Sequence, residues 1–138
     1  MKQVYNKKHS IAWFKIADYV SRGEKERALG MYRLLSHSID DQALRAQIEG
    51  DILWAFNDYE SVQRYKKAAE LYQVQQKLLQ SAAVWEHVLY LMLHEPSLDH
   101  TKEDEVAIRK HLITLYEDLG ILDAKEQHLI ALQDVVCF

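Results

Sequence analysis

The chain has 138 residues, the length of one ordinary domain, with 49% apolar residues, 28% charged residues and a formal net charge of −4. That balance excludes a disordered chain, which needs low hydrophobicity and high net charge, and a strongly basic nucleic-acid binder. One proline and four glycines supply too little turn chemistry for a sheet protein, so the expectation is an all-α chain.

Helical periodicity runs almost from end to end. The first helix carries Ile11, Trp13, Phe14, Ile16, Ala17 and Val20 as a wide apolar face. It stops at Arg22-Gly23, where glycine accepts the left-handed conformation of a helix end. The second covers about Glu24 to His37, with Ala28, Met31, Tyr32, Leu34 and Leu35 inward. Ser38-Ile39-Asp40-Asp41 then offers N-cap residues to a third helix, about Gln42 to Phe56. Asn57-Asp58 makes the next turn. A fourth helix starts near Tyr59 and carries Val62, Tyr65, Ala68, Ala69 and Tyr72. No strong breaker follows before His94, so a turn is placed near Gln73–Gln76 or at Ser81, opening a fifth helix that ends at His94. Residues 95–101 (EPSLDHT) hold the one proline and form a loop. Thr101 with Asp104 fits the looser capping box and opens a sixth helix that ends at Leu119-Gly120. A seventh spans about Leu122 to Val136.

Basic residues gather at Lys2, Lys7 and Lys8 and at Arg64, Lys66 and Lys67, which read as solvated faces or a loose terminus. The lone Cys137 makes no internal disulfide and is not placed for prenylation, which needs a cysteine four from the end. The polar start MKQVYNKKHS has no signal-peptide pattern, and no apolar run approaches a membrane span. A soluble protein of the reducing cytoplasm is expected, with no membrane or nucleic-acid partner.

An offset of 34 residues aligns Arg22-Gly23-Glu24-Lys25-Glu26-Arg27-Ala28 with Phe56-Asn57-Asp58-Tyr59-Glu60-Ser61-Val62, with helix–turn–helix signals on both sides. Gly50 to Glu60 (GDILWAFNDYE) resembles the core stretch of the tetratricopeptide repeat family, where a small residue lets helix A pack closely on helix B. Trp13, Ile16, Ala17 and Val20 resemble the family's large–large–small–large pattern on helix A. Ala28, Tyr32 and Leu35 resemble its small–aromatic–small pattern on helix B. Tyr116 to Ala131 has the same flavour. The sequence departs from the family at Val62, where alanine is usual, at Tyr65, one place early, and in lacking the repeat-ending proline. The resemblance implies a helix-turn-helix repeat solenoid of about seven helices. It consists of an arm over 1–8, repeats over 9–38, 41–72 and 76–119 with a loop inserted at 95–101, and a capping helix over 121–136.

The function implied is a non-enzymatic scaffold whose concave groove, lined by A helices, binds a peptide or helix of another protein. The groove candidates are Lys15, Tyr19, Gln47, Asp51 and Trp54. Trp54 falls on the opposite side of its helix from Ile48, Ile52 and Ala55, which leaves groove and inter-repeat packing both open. Trp13 and Trp85 read as core. The carboxylate clamp of the chaperone-tail subtype is absent, because Tyr19 stands where asparagine is needed and Ser81 to His94 lacks Lys and Arg. A small acidic secretion-type chaperone, dimerising through its N-terminal helix, is the alternative in the same class; a homodimer stays open.

The chemistry of an enzyme is weakly represented. His9, His37, His87, His94, His100, His111 and His128 never follow a glutamate by three residues, and no two are four apart, so no helical metal motif forms. A metal-dependent enzyme would have to use His87, His94 and His111. Cys137, beside the chain end, lacks the support a nucleophile needs. No phosphate loop or nucleophile elbow is present. Neither cofactor nor catalytic residue is expected.

Overall fold

A computed structural model describes residues 10–136, and the arm over 1–8, His9 and Cys137 lie outside them. Among the described residues the chain is all-α and repeat-like, with seven helices. These are α1 (Ser10–Ser21), α2 (Lys25–Ser36), α3 (Gln42–Ala55), α4 (Ser61–Val74), α5 (Leu78–His94), α6 (Lys102–Leu119) and α7 (Leu122–Val136). No helix among them is long and apolar enough to cross a membrane.

Short-range chemistry sets the helix ends. Asp41 accepts from the N–H groups of Ala43 and Leu44 at the start of α3. Thr101 and Asp104 form a complete capping box at the start of α6, with bonds of 2.9 and 3.1 Å. Four helices end in the same left-handed turn, at Gly23, Asn57, Gln76 and Gly120. In each, the following N–H reaches back to the carbonyl five residues earlier: Glu24 to Tyr19, Asp58 to Leu53, Lys77 to Tyr72 and Ile121 to Tyr116. Gly23 and Asn57 stand 34 residues apart, so the offset seen in the sequence recurs as a repeated backbone motif. The turn between α4 and α5 therefore falls at residues 75–77, the first of the two expected places. Ser81 lies inside α5, fully buried, and donates to the Ala69 carbonyl at 2.7 Å.

The chain divides into two compact units, one up to Ala68 and one from Ala69, and the division falls inside α4. In the first unit α2 packs on both α1 and α3. Ile16, Ala28, Leu29, Tyr32, Leu35, Ile52 and Leu53 form its core, with Trp13, Tyr19, Val20 and Ile48 packed around it. Two expectations are corrected here. Leu34 is 72% exposed whereas Leu29 is buried, because contact with α3 as well as α1 rotates the covered arc of α2 toward Leu29. On α1, Ile11 and Phe14 are exposed, since α2 and α3 cover only the side that carries Ile16.

Gly50 is where α3 meets α4. A Cβ there would lie 2.8 Å from Cε1 of the buried Tyr65 ring, so only glycine permits this approach. Gly30, in the middle of α2, faces open space. Replacing Gly30 by alanine is expected to stabilise the protein by about 0.5–1 kcal/mol, the helix-propensity difference without a steric cost. A thermal melt that moves down or stays unchanged would contradict this.

In the second unit α6 packs against both α5 and α7. Trp85, Val88, Leu112 and Leu115 are among its most buried side chains. Trp85, expected in the core, is there, and the exposed His111 ring stacks on it with centroids 4.8 Å apart.

Candidate binding groove

The first unit carries an open apolar groove of about 490 Å³ between α1 and α3. Its walls are Trp13, Phe14, Ile16, Ala17 and Val20 from α1 and Ile48, Asp51, Ile52 and Ala55 from α3. The α3 residues recur at the three- and four-residue spacing that puts side chains on one helix face. Ile16 and Ile52 belong to the buried core, so the floor of the groove is the outer surface of that core. Phe14 remains 74% exposed at its edge.

Asp51 is the one charged residue in this lining. Among the described residues its hydrogen-bond partner is Tyr65 of α4, whose hydroxyl donates to Oδ1 at 2.5 Å. Burial of the ring, followed by this hydrogen bond and the nearby carboxylate charge, pushes the Tyr65 hydroxyl far above its ordinary range, so it stays a donor. The close approach at Gly50 thus seats a ring whose tip holds Asp51.

Of the five residues picked out from the sequence, Asp51 alone lines this groove. Lys15 is exposed on α1 outside the lining, and Tyr19 packs against the core of the first unit. Gln47 and Trp54 are half-buried on α3 outside the lining, and the Trp54 ring sits 5.7 Å from that of Tyr59. Trp13, expected in the core, is half-buried against it and forms a wall of the groove. The signal for this wall was present in the apolar arc of α1, which spans more than half the helix circumference where a single packed face needs about 100°.

A second polar cluster lies in the other unit. His128 of α7 is 7% exposed and stacks on Tyr116 of α6. Arg109 donates to its Nδ1 at 3.0 Å, and because arginine only donates, the ring carries its proton on Nε2, which lies 3.1 Å from Glu86 of α5. Tyr116 donates to Glu86 at 2.8 Å, and Arg109 also pairs with Glu105 at 2.8 Å. The cluster ties three helices together with every member engaged, which is the arrangement of a structural network. No group of three or more His, Cys, Asp or Glu side chains converges for metal binding among the described residues.

Burial alone would raise the Glu86 carboxyl, but hydrogen bonds from His128 and Tyr116, with Arg109 nearby, outweigh it and hold Glu86 below the ordinary carboxylate range. A depressed folded pKa gives stability that is complete above the unfolded value of about 4.3 and is lost as pH falls through the folded value. Acid melts of wild type should therefore fall off more steeply below about pH 4.3 than those of Glu86→Gln. Parallel curves would show that the carboxylate contributes nothing.

No family model matches the chain, and no curated protein or solved structure matches it either.

Proposed function

We propose that this protein is a non-catalytic interaction module that takes an apolar helix or peptide of a partner protein into the groove between α1 and α3. The groove carries the reading: it has apolar walls, sits on a packed core and leaves Phe14 exposed at its rim. An apolar face of this kind is the receptor half of helix-in-groove recognition, in which a few buried anchors supply most of the affinity. The tetratricopeptide-like sequence pattern, together with the turn repeated at Gly23 and Asn57, agrees with such a role for paired helices.

The test is to select helical peptides from a displayed library on the wild-type protein and compare them on Ala17→Arg. Ala17 is exposed and lines the groove, so a long side chain there fills the groove without entering the core. A surface change of this sort leaves stability within about 0.5 kcal/mol. Selected peptides should lose at least about tenfold in affinity on the variant, the effect of blocking a central anchor pocket. Peptides indifferent to the variant, or no selectable binder at all, would refute the assignment.

A further inference from the structure

From the chemistry of Asp51, and resting on the proposed function of the groove, we infer that the segment taken up is apolar with one lysine or arginine, whose cation seats on the Asp51 carboxylate. Any segment laid between α1 and α3 removes water from Asp51, the one charge in an otherwise apolar lining. A desolvated carboxylate is costly unless its acceptor capacity is met, and Tyr65 meets it at Oδ1 alone. A wholly apolar occupant leaves that cost standing. An acidic one adds like-charge repulsion. A cation meets the carboxylate with a charge-assisted hydrogen bond at the edge of an apolar surface, where the pair is stronger than in open water yet still screened by salt.

Tyr65 is the positioning residue of this arrangement. Its ring is 2% exposed and pressed against Gly50, so its hydroxyl holds the carboxylate from a fixed point in the core. Such pre-organisation sets the register of the incoming cation instead of leaving it to a mobile surface side chain. The pair Asp51–Tyr65 therefore selects among apolar segments, while the walls set how tightly any of them binds.

The probes are leucine- and alanine-based helical peptides of about 15 residues. Each carries a single lysine, glutamate or norleucine, moved through four consecutive positions so that one of them faces Asp51. Binding is read by fluorescence anisotropy at low and high salt. The best lysine peptide should bind wild type at least about tenfold tighter than its glutamate counterpart, with a preference that shrinks as salt rises. Asp51→Asn should abolish that preference while norleucine peptides bind more tightly, since the charge they would desolvate is gone, and Asp51→Lys should invert it. Tyr65→Phe should narrow the lysine-to-glutamate ratio, whereas a purely structural role would weaken all peptides alike. Equal binding of the three peptides to wild type overturns this inference and leaves the groove assignment standing. Binding of none of them overturns both.

Discussion

Replacing Gly50 by valine is expected to destabilise the protein by about 3 kcal/mol, the upper range for overpacking a filled site. Two effects oppose each other. Glycine inside a helix costs up to about 1 kcal/mol relative to alanine, and valine recovers part of it. Against that gain, the first added carbon would lie within 3.2 Å of three atoms of the Tyr65 ring. That ring is buried and tied at its tip to Asp51, so it has no free direction in which to move. The steric cost wins, and the two γ-carbons of valine deepen it. Urea melts monitored by circular dichroism measure the loss. Alanine should fall between glycine and valine, at about 1–2 kcal/mol. A valine variant as stable as wild type would mean that α3 and α4 can separate freely, and the seat of Asp51 would then not depend on this contact.

A chain ended at Gly120 is expected to lose its cooperative unfolding transition and to bind a hydrophobic dye. α6 lies between α5 and α7, with Ile108, Leu112, Leu115 and Tyr116 buried. Removing α7 uncovers one side of it, including the Tyr116 ring that stacks on His128, and leaves Arg109 without one of its partners. Each large side chain returned to water forfeits about 1.5–3 kcal/mol, and two or three of them approach the whole stability of a small domain, about 5–15 kcal/mol. Retained far-ultraviolet signal with lost near-ultraviolet signal would mark a loosened core. A shortened chain that melts sharply as a monomer would show that α5 and α6 hold without α7, and the capping role drawn from repeat-protein logic would fall.

Much of the fold was legible because helix ends obey rules that operate over a few residues. Asp41, the Thr101–Asp104 box and the glycines at 23 and 120 were all readable as caps and stops. The boundary between α4 and α5 resisted a single reading because Gln76 takes the left-handed turn without being glycine or asparagine. That conformation costs a side-chain-bearing residue about 1–2 kcal/mol, so composition does not announce it. Gly50 was readable as a small residue at a helix contact, but its neighbour there, Tyr65, comes from another helix.

The groove was less legible. Of the sequence candidates Asp51 lines the groove, whereas Lys15, Tyr19, Gln47 and Trp54, which follow the family's helix-A face, lie outside a wall that runs through Ile48, Ile52 and Ala55. Those residues resemble ordinary core positions in the sequence, and two apolar faces of equal hydropathy cannot be ranked until the covering helices are placed. By itself, then, the sequence determined the all-α class, the approximate helix spans and most of the caps, because these depend on composition and on hydrogen bonds within a turn or two of chain. Only the tertiary structure decided that α1 leaves Phe14 and Ala17 uncovered and that Tyr65 reaches Asp51. It also decided that His128 is buried between Glu86 and Arg109. Burial and charge pairing depend on which distant helix lies against each face, and that information is spread over the whole chain rather than written at any one position.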